Sequence, residues 1–167
     1  KFKHSNFYSK YKIHSHMLLI KFKEKYNLNA STVILFNHDS IYRNKKFLIP
    51  RLIKMVKNKN HKKLNEIFQA NIIGDFSHAE DICYGLFKLI LIKKNIDKLI
   101  FSSNKKTSIN DVIKFLLKKN NTKKNFKLKI FHTQESSIGD NSFTKKLLNW
   151  KIKKNIFKAA NELNKLI

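Results

Sequence analysis

The sequence predicts an α/β architecture with at least partly parallel strands, and three observations carry that expectation. Short β-branched or apolar runs such as "STVILF" (31–36) and "DKLIFSS" (97–103) are bounded by turn-forming residues, as buried strands are. They alternate with longer segments in which apolar residues return every three or four positions, the period of an amphipathic helix. The 167 residues are 42% hydrophobic and 12% aromatic, with three glycines, one proline and no break in composition, which suits one packed domain without a linker.

Taken in order, residues 7–26 predict a helix whose apolar side is Tyr11, Met17, Leu18, Ile20 and Phe22, closed by Asn27 and Asn29. The strand at 31–36 is followed by "NHDSIYRNK" (37–45), a polar loop at the strand's C-terminal end, where open α/β sheets bind ligands. "IPRLIKMVK" (49–57) is helical with Pro50 in its first turn. "NKNHKK" (58–63) reads as a solvated loop and "NEIFQANII" (65–73) as a weak strand. A helix begins near Ala79 with Ile82, Leu86, Leu89 and Ile90 inward, and 97–103 is the next strand. "TSINDVIKFLLKK" (107–119) is a helix capped by Thr107 or Ser108. "FKLKIFH" (126–132) alternates as a half-buried strand does, and 141–150 and 153–167 are two last helices, with Trp150 anchoring the tail. Three or four strands make a small sheet with exposed edges, as a piece of a larger sheet would have.

The charge comes from 36 basic against 11 acidic side chains, a net +25, a value that ordinarily points to polyanions. Here 34 of the 36 are lysine, Arg43 and Arg51 are the two arginines, and asparagine occurs 20 times. Lys, Asn, Ile and Phe have the codons richest in A and T, so an AT-rich genome yields this composition without selection for binding. Nucleic-acid readers also lean on arginine's bidentate fork, so nucleic acid is not the expected partner. No apolar run reaches membrane-spanning length and no signal peptide is recognisable, which sets a cytoplasmic expectation. The single cysteine, Cys83, lies in an apolar context and is expected in the core. His14 and His16, two apart on a helix, diverge, so no metal is expected. Residue 1 is lysine, not methionine, which fits a processed chain or a fragment of a longer reading frame.

Tyr8 and Lys12 stand four apart in the first helix, on one face. A fixed cation beside a phenol favours the phenolate, and such a tyrosine can take a proton from a hydroxyl while a neighbouring nicotinamide takes the hydride. Spacing alone leaves a solvated helix face open, since Tyr42 and Lys46 repeat it.

Downstream come "LFNHDS" (35–40), "DFSHAEDI" (75–82) and "GDNSFTKKLLNWK" (139–151). In this order, behind Tyr8 and Lys12, they resemble the C-terminal half of the GDP-mannose 4,6-dehydratases, members of the extended short-chain dehydrogenase/reductase (NAD-dependent epimerase/dehydratase) family. The resemblance implies the later part of a Rossmann-type parallel sheet plus a small α/β substrate-binding lobe, with residues 1–167 as one partial domain. It implies Tyr8 as catalytic tyrosine, and Lys12 as its partner and a holder of the nicotinamide ribose. His38 and Arg43 would contact NADP, Arg43 on a loop that also reaches a neighbouring subunit of a homo-oligomer, and Asn37 would contact the sugar nucleotide. The implied reaction oxidises GDP-mannose at C4, removes water across C5 and C6 and returns the hydride to C6. On their own residues, His38 also reads as a loop histidine and Asn37 as a turn cap.

Departures from the family pattern are definite. No Gly-x-x-Gly-x-x-Gly is present to cradle a pyrophosphate, and the Thr and Glu that assist dehydration would lie ahead of Tyr8. Gly74 stands where the family has an arginine, and Lys129 and Ile130 fall where it has another. The chain alone is therefore expected not to turn over. Another nucleotide-sugar epimerase or reductase, a basic binding protein, and a decayed enzyme kept for oligomerisation remain the alternatives.

Overall fold

The computed structural model describes residues 6–122 and 132–167. The elements are α1 (Phe7–Tyr26), β1 (Thr32–Leu35), β2 (Asn37–Asp39), α2 (Leu48–Lys57), α3 (His61–Gln69), β3 (Ile72–His78) and α4 (Ala79–Ile90). They continue with β4 (Lys98–Phe101), β5 (Lys106–Ser108), α5 (Ile109–Lys119), β6 (Gln134–Glu135), α6 (Ser142–Leu148) and α7 (Ile156–Leu166). The expected strand at 126–132 lies outside the described residues, apart from its last position.

The strands are mostly parallel, as the alternation predicts. β1 pairs in parallel with β4, Thr32 opposite Lys98 through Leu35 opposite Phe101. After Phe36 the chain leaves this ladder, and β2 pairs in parallel with β3, Asn37 opposite Phe76. β3 also takes β5 antiparallel and β6 parallel.

Apolar side chains gather in two places. One cluster packs α2, α3, α5 and α7 through Leu52, Ile53, Leu64, Ile113, Leu116 and Ala160, with Ile72 and Phe76 of β3 against it. The other joins Ile82 of α4, Leu99 and Phe101 of β4, Leu148 of α6 and Trp150, with Val33 of β1 against it. Trp150 is the predicted anchor: it is 2% exposed, meets the Phe101 ring edge-on at 5.1 Å, and its Nε1 donates to the Asp81 carbonyl at 2.7 Å. Ser108 caps α5 by accepting from the Asn110 amide.

Helix ends are closed without glycine. Lys59 (φ 51°) and Asn121 (φ 50°) take the left-handed position after α2 and α5. The next amides reach back, Asn60 to the Met55 carbonyl at 2.9 Å and Thr122 to that of Leu117 at 3.0 Å. This is the Schellman closure, usually given to glycine.

Several expectations need correction. "NEIFQ" ends helix α3, because Leu64 and Phe68, one turn apart, both point into the first cluster, and only Ile72 and Ile73 belong to a strand. The helix also claims the end of the "NKNHKK" loop, with Asn60 capping it. The polar loop at 37–45 opens as strand β2, since β3 offers it a parallel edge. Cys83 is exposed, and Ile90 is 80% exposed, because both fall on the outer face of α4. Helix α1 forms over the expected residues, yet none of them is buried; Tyr11, Met17 and Phe22 lie open on it.

Candidate active site

Asn6 caps α1, its Oδ1 accepting from the Ser9 amide at 2.9 Å, which sets Tyr8 in the first turn and Lys12 in the next. Lys12 Nζ lies 5.5 Å from the centre of the Tyr8 ring. The two share a hollow of about 430 Å³ with Ile13, His16 and the backbone run 32–35 of β1. Two contacts hold the helix beside the strand: His16 Nδ1 is 2.8 Å from Thr32 Oγ1, and Lys23 Nζ donates to Asp97 at 2.7 Å. The phenol is open to solvent, Tyr8 being 70% exposed. An ammonium against an accessible phenol can carry a proton to or from a hydroxyl placed in the hollow.

His38 and Arg43 line a second, smaller hollow of about 330 Å³ with Asp39, Tyr42, Phe47 and Ala79. His38 Nδ1 is 2.8 Å from the Phe36 carbonyl; a carbonyl only accepts, so Nδ1 carries the hydrogen and the neutral ring keeps Nε2 as an acceptor. Arg43 Nε donates to Asp39 Oδ1 at 3.0 Å, a second guanidinium nitrogen donates to the His38 carbonyl, and the group stacks on Phe47 at 4.4 Å. Burial pushes the Asp39 carboxyl above its ordinary 3.8, outweighing the opposing pull of Arg43. The guanidinium is thus engaged within its own loop, with donors left over for a further anion. Asn37 is exposed, and its amide donates to the Asp75 carbonyl at 3.2 Å. The structure therefore pairs Tyr8 with Lys12 and His38 with Arg43 in separate hollows, while Asn37 sits between them in sequence, just past the C-terminal end of β1.

Asp75 is the residue that sequence reading passed over. It is fully buried, and its carboxylate accepts from the Ser103 amide and hydroxyl at 2.7 Å each, the Asn104 amide at 3.0 Å and the Gly139 amide at 3.2 Å. One side chain thereby ties β3 to the loops after β4 and before α6, beneath Asn37. The available signal was an aspartate in an otherwise apolar strand run, "IIGDF". A Cβ on Gly74 beside it would stand 2.5 Å from the Ser136 hydroxyl and 3.0 Å from the Phe76 ring, so a side chain there requires Ser136 to turn away.

The described residues fit a nicotinamide cofactor at one end only. Tyr8 and Lys12 offer a phenol and an ammonium to a ribose and its ring. Pyrophosphate cradles use glycines whose bare backbone approaches the phosphates, and here no glycine has a positive φ, while a Cβ on Gly139 would run into Ser102 and Phe36. Among the described residues no group of three acidic, histidine or cysteine side chains could hold a metal, and no helix is long and apolar enough to cross a membrane.

Known structures share this fold. The dTDP-glucose 4,6-dehydratase of Bacillus anthracis, solved in complex with NAD, superposes with a TM-score of 0.78 at 15% identity, over 98% of this chain and 52% of that one. RMD from Pseudomonas aeruginosa, complexed with NADPH, gives 0.73 at 16% identity over 95% and 54%. The UDP-glucuronic acid 4-epimerase of Bacillus cereus, in complex with NAD, gives 0.73 at 16% over 95% and 50%. At these identities the likeness establishes a Rossmann-type α/β fold, and the chain spans about half the length of each. No curated protein sequence matches it. The model of one family, GDP-mannose 4,6 dehydratase, matches residues 1–163. With that match running through the tyrosine helix, the parallel strands and the Trp150 tail, the chain belongs to the GDP-mannose 4,6 dehydratase family.

Proposed function

We propose that the chain carries the tyrosine-bearing half of an NADP-dependent GDP-mannose 4,6-dehydratase. The observation that supports this most is the Tyr8 and Lys12 pair held against β1 in one hollow. Tyr8 Oη takes the proton from the C4 hydroxyl of the sugar, and the Lys12 ammonium stabilises the negative charge that the phenol oxygen would otherwise carry alone. The chemistry that a bound NADP supplies is removal of hydride from C4 and its return at C6. Lys12 would also donate to the ribose, His38 and Arg43 would hold the cofactor from their own hollow, and Asn37 would hydrogen-bond the sugar nucleotide. Between the hydride steps water leaves across C5 and C6, so the product is GDP-4-keto-6-deoxymannose.

The test is turnover of GDP-mannose, dTDP-glucose, UDP-glucose and UDP-glucuronic acid by a polypeptide joining this chain to a dinucleotide-binding half. GDP-mannose is expected to give the 4-keto product, and Tyr8→Phe to cut the rate by about 10²- to 10⁴-fold. Selective turnover of another nucleotide sugar, with epimerised product, would favour the epimerase reading, to which the loss of the family arginine at Gly74 lends weight.

A further inference from the structure

A third hollow, of about 690 Å³, is formed by α4, α6 and the loop that follows α6, and it shares no lining residue with the hollows of Tyr8 and of Arg43. Lys145, Lys146, Lys151 and Lys153 line it, and no acidic residue does. Lysine is abundant throughout the chain, so what distinguishes these four is how they are held. Asp81 pins the loop to α4: its carboxylate accepts from the amides of Lys153 at 2.8 Å and Lys154 at 2.6 Å, and its carbonyl from Trp150 at 2.7 Å. Lys88 of the same helix donates to the carbonyls of Leu148 and Asn149, at 2.9 Å each. Those carbonyls end α6, the negative pole of the helix. A fifth lysine thus meets that pole, which no longer opposes an anion in the hollow. The carboxylates nearest in sequence are committed elsewhere, Glu80 to the Lys154 ammonium and Asp140 to the Ser142 amide. The ammonium groups of the four lining lysines have no hydrogen-bond or ion-pair partner among the described residues. Such groups around one concavity repel each other and focus a positive potential into it.

We propose that this hollow binds a linear oligophosphate, either the triphosphate of a nucleotide or a free phosphate chain. A lone monovalent anion would offset one of the four charges, whereas a chain of phosphoryl groups carries several and can run from Lys145 and Lys146 on α6 to Lys151 and Lys153 on the loop. Lysine suits this ligand, because an ammonium is a point charge that accepts phosphoryl oxygens from many directions and needs no planar, two-pronged partner. The ties through Asp81 and Lys88 fix both walls before any ligand arrives, so little ordering remains for binding to impose on the backbone. Tyr84 decides between the two sources. Its ring is 49% exposed, with the Lys88 ammonium 5.4 Å from its centre, and it is the exposed aromatic of the lining on which a base can stack.

The test is calorimetric titration of the 167-residue chain with tripolyphosphate at about 0.15 M ionic strength, where diffuse attraction is screened. One equivalent is expected to bind. Lys146→Gln combined with Lys151→Gln, both exposed positions, should weaken binding roughly tenfold. Lys57→Gln combined with Lys62→Gln removes the same charge from outside the hollow and should weaken it by no more than about twofold. No binding to the unsubstituted chain, several equivalents, or equal losses in the two double variants would each overturn the proposal, the last by assigning the attraction to the net charge of the chain. Acetylation of lysines supplies a reading that needs no variant: tripolyphosphate should protect Lys145, Lys146, Lys151 and Lys153 while Lys57 and Lys62 stay reactive, and uniform protection rejects the site. ATP in place of tripolyphosphate separates the sources. Tighter binding that Tyr84→Ala returns to the tripolyphosphate level makes the ligand a nucleotide, and equal or weaker binding makes it a bare phosphate chain.

Discussion

Single side chains decide how the site end of the sheet is held. Asp75 gathers four donors from two loops with no water contact, and an amide in its place would turn a donor toward donors. Asp75→Asn should cost about 2–3 kcal/mol of stability, read from the denaturant midpoint, with the loops around Ser103 and Gly139 exchanging first. Arg43 behaves differently, because its removal strands the buried Asp39 carboxylate. Arg43→Ala should destabilise by about 2 kcal/mol, and lowering the pH should recover part of that by protonating Asp39. Both residues stood in motifs visible in the sequence, and the Asp39 to Arg43 spacing of four was legible. The role of Asp75 was not, since its partners lie 28 to 64 positions away in the chain and no local pattern joins them.

Elements show where local chemistry was enough and where tertiary context overruled it. β1, β4, α4 and α5 were readable from apolar period and caps, such as Ser108 before α5. "NEIFQANII" was not, because a nine-residue helix offers only Leu64 and Phe68 as a period and its β-branched neighbours suit a strand equally well. The Schellman ends add a prediction. Lys59 pays the left-handed penalty without glycine's freedom, so Lys59→Gly should raise stability by about 0.5 kcal/mol in thermal or denaturant melts. The tie between α7 and the end of β3 carries a pH dependence. His78 Nε2 lies 2.9 Å from Glu162, and this hydrogen bond, ahead of the nearby Lys158 and Lys154 charges, holds the Glu162 carboxyl below its ordinary 4.5. Its stabilising effect is therefore complete above about pH 4.5 and lost as the pH falls through the lowered value. Denaturant midpoints between pH 7 and pH 3 should drop for the wild type, and Glu162→Gln should flatten that part of the decline.

At the scale of the whole molecule, the α/β class and the parallel strands followed from the alternation, whereas the division of the sheet between two ladders did not. That division turns on Phe36, where the chain steps from β4's partner to β3's, and nothing in "LFNHDS" announces the step. The two apolar clusters lie on either side of it, and one of them contains the only tryptophan. Loss of the β1–β4 ladder need not drag the four-helix cluster with it, because the two apolar clusters have no residue in common. Heating should then give two transitions: tryptophan emission reddens first, as Trp150 loses its packing on Phe101, and the helical circular dichroism signal falls later. Coincident curves would show a single cooperative unit. If they separate, Trp150 reports only the part of the molecule that bears Tyr8 and Lys12, and a midpoint read from fluorescence measures the integrity of that side while the helical side is still folded.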